Sequence, residues 1–176
     1  KFYGPKGTGA LYVRRGYPLS PIVFGESREM GLRPGAENVP GWIGLGAAAQ
    51  LAGRCCEDAG QAMSKLRDHL AESLRSVIDP APMVLCEASS RLSNTLTVQF
   101  PAEAREIQRA ARELIFATAM SSSPPDEMTR CLKAIGKTEY EIGRVIRMSI
   151  GGTTSREQID RTVELLAAAI DTVRAS

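Results

Sequence analysis

A primary amine, four thiols and one guanidinium set in an apolar strand are the groups of this chain with chemistry to offer. The amine is Lys1, in the Gly/Pro-punctuated turn KFYGPKGTG. An amine condenses with an aldehyde to an imine, onto which an incoming amino acid can exchange. The thiols are Cys55, Cys56, Cys86 and Cys131. No two form a CxxC pair and His69 is the sole histidine, which argues against a Cys/His zinc site or any other metal centre. Their irregular spacing reads as free thiols in a reducing cytoplasm. Arg147 is the guanidinium, in VIRMSI. Strand alternation turns Ile146, Met148 and Ile150 inward and Val145, Arg147 and Ser149 the other way. An arginine so placed either grips a carboxylate through two hydrogen bonds or sits solvated on an edge strand. His69 has no partner in view and reads as an exposed helix residue. Arg14, Arg15, Lys65, Arg67 and Arg75 are scattered and read as solvated faces.

Composition narrows the field. The chain has 176 residues, 43% hydrophobic and 24% charged, with a net charge of +2. That suits one compact domain or part of a larger one. So balanced a charge leaves no footprint for nucleic acid or an anionic membrane. Aromatics are too few, at 5%, for base-stacking platforms. No apolar run reaches the roughly 18 residues of a membrane span.

The elements that must position these groups follow from periodicity. GALYVR (9–14) reads as a strand and PIVF (21–24) as a second extended piece. Residues 26–38, ESREMGLRPGAEN, form a polar loop. Asn38 caps a helix running to about Ile78, with Pro40 near its first turn and Gly53 and Gly60 as bends. Leu66, Leu70, Leu74 and Val77 mark its buried face. MVLCEA is a strand. LSNTLTVQF alternates Leu92, Asn94, Leu96, Val98 and Phe100 against Thr95, Thr97 and Gln99 as a second strand. A helix over 102–115, a short apolar piece IFATAM, a helix over 127–135 stopped by Gly136, and the strand VIRMSI come next. A capping box from Thr154 to Glu157 opens the last helix, with Ile159, Val163, Leu166, Ile170 and Val173 on one stripe. The order after residue 80 is that of an α+β domain, a small sheet with helices packed on it.

Five blocks in this order, KFYGPKGTGALYVR, GESREMGLRPGAENVPGWIGLGAA, RLSNTLTVQF, CLKAIG and VIRMSIGGTT, resemble the C-terminal half of a cysteine desulfurase of the nitrogen-fixation type. Selenocysteine lyase is a close relative, and both are class V aminotransferase-like enzymes dependent on pyridoxal phosphate. The resemblance implies the α/β, aspartate-aminotransferase type I fold. Residues 1–52 would end the large cofactor-binding domain and 53–176 would form the small C-terminal domain, with a linking helix over roughly 39–78. It also implies a small amino-acid substrate and a homodimer. Lys1 matches the lysine that holds the cofactor's aldehyde, as though the chain were cut there with the cofactor-binding half absent. Arg147 matches the clamp on the substrate carboxylate, and Asn94 also falls on a family motif, with a structural role between strands as the plainer reading. GLRPGAEN matches a loop whose threonine reaches a neighbouring cofactor phosphate. Here that residue is Ala36, so the N–H groups of Gly35 and Ala36 are the donors left. Arg33 and Glu37 match too, either in direct contact or as an ion pair holding the loop.

One departure bears on the reaction. The family's sulfur-accepting cysteine falls at Met120, in ATAMSSS. A thioether has no ionisable proton and cannot carry a persulfide. Ser121 to Ser123 read as loop residues. Cys131 is no substitute, since CLKAIG matches a helix where the family usually has an aliphatic residue, and Cys55, Cys56 and Cys131 read as packing cysteines. Two functions follow. The chain belongs to an enzyme acting on cysteine, selenocysteine or a related amino acid, by elimination, transamination or epimerisation where desulfuration is lost. Alternatively it is a catalytically inactive remnant or a non-enzymatic partner of a separate N-terminal half or an intact homologue.

Overall fold

The computed structural model describes residues 2–119 and 125–175. These fall into two compact units that divide after Cys56. The first unit holds a 3-10 turn, Glu29–Gly31, and the start of helix α1, Val39–Val77. The Asn38 Oδ1 accepts the N–H of Gly41 at 3.1 Å, so the expected cap is in place. The helix runs unbroken through Gly53 and Gly60. Residues 9–14 and 21–24 are not strands. A strand needs a neighbour for its N–H and C=O groups, and among the described residues these two segments have none. Their apolar side chains are correspondingly exposed, Tyr12, Ile22 and Phe24 most of all.

The second unit is built on a four-stranded antiparallel sheet. Its strands are β1 (Met83–Val84), β2 (Thr95–Gln99), β3 (Ala117–Thr118) and β4 (Val145–Ser149), in the order β1-β2-β4-β3. Between β2 and β4 the register sets Thr97 opposite Arg147 and Val98 opposite Ile146. Interspersed are α2 (Ala104–Ala110), α3 (Glu127–Ala134), α4 (Glu139–Ile142) and α5 (Arg156–Ala175).

Alternation on the strands separates two cores. Leu96, Val98, Ile146 and Met148 form one face, which joins Leu70 and Leu74 of α1, Ile107 of α2, and Ile159, Val163, Leu166 and Ile170 of α5 in the main core. The opposite face carries a smaller core of Val145 with Leu85, Ala119, Leu132 and Ile142. Arg147 lies on that second face, two residues from Val145.

Several boundaries differ from those read in the sequence. The stripe of α1 closes on Ile78, which is buried, while Val77 is 57% exposed: Leu70, Leu74 and Ile78 keep the i, i+4 spacing and Val77 falls off it. The strand expected from MVLCEA ends at Val84, because Cys86 takes φ +54 and its carbonyl closes a turn with the Ser89 N–H. Leu92 lies ahead of β2 and is 71% exposed. The helix over 102–115 shortens to α2, since Ala111 leaves helical geometry at ψ 59 and the Phe116 carbonyl returns to the Gln108 side chain. Helix α4 has no counterpart among the elements expected from periodicity, although its capping box, Thr138 with Glu141, is legible as T-x-x-E. The cap of α5 is shifted by one residue. Ser155 and Gln158 exchange the two cap bonds, and Thr154 Oγ1 accepts the Gly151 N–H instead.

Candidate functional site

The polar loop ahead of α1 is folded by its own charges. Arg33 Nη1 donates to the carbonyls of Gly35 and Ala36, at 3.2 and 3.1 Å. Glu37 pairs with Arg28 at 3.5 Å, so the ion pair expected between Arg33 and Glu37 is replaced by Arg28–Glu37. Gly35 adopts φ +90, a conformation that costs glycine nothing. With their carbonyls held by Arg33, Gly35 and Ala36 direct no N–H to any described residue. Arg28 is also held by Glu26 at 3.5 Å, so two free N–H groups and the Arg33 guanidinium are what this exposed loop offers an anion of the size of a phosphate.

In the second unit, one face of the sheet carries a further set of candidate groups. A groove of about 530 Å³ lies over it. Thr95 and Thr97 of β2 and Arg147 of β4 form its floor, and Arg91 adds a second positive charge. Glu127, Met128, Cys131 and Leu132 of α3, with Ile135 just beyond it, form one wall, and Leu85, Cys86 and Leu92 another. Arg147 is exposed and makes no hydrogen bond or ion pair with a described residue. Three arginines of this unit are matched. Arg75 holds Glu87 by two bonds, Arg144 holds Glu103, and Arg67 holds Asp68 and the Leu92 carbonyl. An unmatched guanidinium in a largely apolar groove can bind a carboxylate bidentately.

Asn94 is not among the residues lining this groove. It ends the turn ahead of β2, where its carbonyl takes the Ile150 N–H at 2.8 Å and its Oδ1 takes the Thr95 hydroxyl at 3.1 Å. Its side-chain amide makes no hydrogen bond with a described residue. Lys1 and Met120, with Ser121 to Ser123, lie outside the described residues.

Several side chains stand differently in the fold from their reading in the sequence. All four cysteines are exposed and unpaired, so Cys55, Cys56 and Cys131 are not packing residues. Sequence periodicity misses this because a cysteine at a helical position looks the same on either face. Arg67 is 8% exposed rather than solvated. His69 does have a partner: Nε2 lies 2.6 Å from Asp160 on α5, and Nδ1 lies 3.5 Å from the Ser73 hydroxyl. Only the folded chain brings residues 69 and 160 together. Among the described residues no group of His, Cys, Asp or Glu could hold a metal ion, and no helix is long and apolar enough to cross a membrane.

Comparison with known proteins agrees with the motifs. Residues 1–162 match the family Aminotransferase class-V. The chain is 32% identical over its whole length to a cysteine desulfurase of Sinorhizobium fredii, of which it covers 46%. It is 33% identical to the cysteine desulfurase IscS of Methanosarcina thermophila, matching 99% of this chain and 44% of that protein. It thus spans less than half the length of these relatives. A solved NifS-like protein superimposes with a TM-score of 0.85 at 28% identity, over 97% of this chain and 44% of that one. A NifS-like protein from Rickettsia africae shares the fold, with a TM-score of 0.77 at 22% identity over 88% of this chain and 41% of that one.

Proposed function

The chain belongs to the class-V aminotransferase family, whose enzymes use pyridoxal phosphate on the type I fold, and from that premise we propose that it is part of a cysteine desulfurase-like enzyme acting on cysteine or a related amino acid. Residues 1–52 then end the large domain and 53–176 make the small one. Pairing with a second copy belongs to the same proposal.

The observation that carries it is Arg147, an unmatched guanidinium over a groove with thiol and apolar walls. A cysteine-class substrate has a carboxylate for the first and a short thiol side chain for the second. Arg147 binds the carboxylate and orients the substrate. The cofactor, when bound, would supply an electron sink at the substrate's α-carbon. The N–H groups of Gly35 and Ala36, beside Arg33, suit the phosphate of the cofactor in a neighbouring copy. Lys1 holds the aldehyde of the cofactor in its own copy and moves the proton at the α-carbon, as an amine in that position can. The Asn94 side-chain amide remains free to donate to the substrate or the cofactor.

The test is spectroscopic and chemical. The protein as encoded, given pyridoxal phosphate, gains a visible absorption band that Lys1→Ala abolishes, and converts cysteine to alanine. Arg147→Gln keeps the band and raises KM for cysteine by roughly 10- to 100-fold, the worth of a charge-assisted carboxylate contact. No band and no alanine would overturn the reading. They would favour an inactive partner subunit, the alternative motivated by Ala36 and Met120.

A further inference from the structure

Three charged side chains line the groove over the sheet, and a cysteine substrate engages one of them, Arg147. The second is Arg91. It lies 3.6 Å from Asp68, too far for a hydrogen bond, and the same carboxylate oxygen is already held by Arg67 at 2.8 Å. The Arg91 side chain is nonetheless only 22% exposed, so it gives up much of its water without gaining a close partner. The third is Glu127, the first residue of α3, which is exposed and makes no hydrogen bond or ion pair with a described residue. The three reach the groove from different elements. Arg147 stands abreast of Thr97 on the sheet. Arg91 enters from the irregular segment ahead of Thr95, which lies two residues, or about 7 Å, back along β2. Glu127 comes from the wall that α3 forms.

The groove thus offers two cationic contacts and one anionic contact between the apolar side chains of Leu85, Leu92, Met128 and Leu132. At about 530 Å³ it matches pockets that hold a drug-sized ligand, whereas cysteine is among the smaller amino acids. We propose that the groove takes an amino acid with a second amino-acid head, a diamino dicarboxylic acid joined through sulfur, and that Arg91 and Glu127 are the residues that select it. The proposal rests on the pyridoxal-phosphate reading for the near head, whose carboxylate goes to Arg147 and whose amine is committed to the cofactor's aldehyde. Such a ligand then has a distal carboxylate for Arg91, a distal ammonium for Glu127, and a linker of carbon and sulfur for the apolar walls. The charges also balance. Two guanidiniums against one carboxylate leave the groove net positive, and two carboxylates against one free ammonium leave the ligand net negative. A ligand with a distal carboxylate alone would gain Arg91 but set a like charge against Glu127.

Binding to the protein as encoded tests this, read by NMR titration of ligand signals without cofactor. Three thioethers serve as probes: cystathionine, with a head at each end; S-carboxymethylcysteine, with a distal carboxylate alone; and S-methylcysteine, with neither. Cystathionine is expected to bind roughly tenfold more tightly than S-methylcysteine, with S-carboxymethylcysteine between them. Arg91→Gln cuts the cystathionine preference roughly fivefold. Glu127→Gln cuts it roughly threefold and strengthens S-carboxymethylcysteine, which no longer meets a like charge. Arg130→Gln, on α3 but outside the groove, leaves the preference unchanged. Equal binding of cystathionine and S-methylcysteine, no binding of any probe, or a preference that survives Arg91→Gln and Glu127→Gln overturns the proposal. An equal loss in Arg130→Gln overturns it too, since the preference would then be a general attraction of charge. The visible band with pyridoxal phosphate reports the cofactor separately. A band that responds to cysteine, with no preference for cystathionine, sinks the double-headed ligand and leaves the cofactor reading standing. A preference lost in both groove variants, with no band, sustains the groove's selectivity and removes the cofactor reading.

Discussion

A single atom type at residue 36 distinguishes this loop from the family pattern that it resembles. Ala36 is exposed, and its carbonyl is held by Arg33, so its side chain is free to change without repacking. Ala36→Thr restores a hydroxyl donor at the position where the family carries one. The expected gain is about 1 kcal/mol, or roughly fivefold tighter binding of pyridoxal phosphate, read by titrating the visible band. An unchanged affinity would remove this loop from the phosphate site. Charge at the residue scale is also arranged by contrast. Arg75, Arg67 and Arg144 have acidic partners, whereas Arg147 has none among the described residues. A paired guanidinium is a structural strut, and an unpaired one is available to a ligand.

Helix α4 shows how four residues are held at the scale of an element. Thr138 and Glu141 exchange both bonds of a capping box, and Lys137 Nζ lies 2.8 Å from Glu141 Oε1. The Lys137 bond, followed by the two from Thr138, lowers the Glu141 carboxyl from the ordinary 4.5 to about 2. A carboxyl whose pKa is lowered by folding stabilises the fold fully above its unfolded pKa. That contribution is lost as pH falls from about 4.5 through about 2. Glu141→Gln should therefore flatten the decline of the urea midpoint in that window, with the wild type and the variant converging at its acid end. Parallel curves across the window would show that the box does not act through this charge. The same element illustrates a legible signal that periodicity overlooks: T-x-x-E is plain in the sequence, but one turn of helix leaves no repeating apolar pattern.

For the whole molecule, the contrast lies between a unit with little regular structure ahead of α1 and a unit with two cores. Arg14 and Arg15 are exposed in backbone with no helix or strand. Arg67 is buried in a helix that feeds the main core. Local opening ranges from almost no cost in such loops to the full unfolding free energy in a core. Brief trypsin digestion of the native protein should cut after Arg14 or Arg15 well before Arg67 or Arg144, as read by mass spectrometry of the early fragments. Early cleavage at Arg67 would mean that the second unit is far looser than its packing indicates.

What the residues determined by themselves was the family and the repeating elements. The long helix after Asn38, the alternation in β2 and β4 and the stripe of α5 were legible because each is a local period read over many residues. The motif blocks carried the family in the same way, and alternation alone turned Arg147 away from the main core. The tertiary structure decided which polar and sulfur-bearing side chains meet. Sequence offers no period for a partner 91 residues away, as in His69 with Asp160, nor for the face that a lone cysteine takes on a helix. Cys131 joins Arg147 in one groove only because α3 is pinned through Leu132 onto the sheet face that carries Val145. That is a non-local contact set by core packing, and local propensity does not contain it.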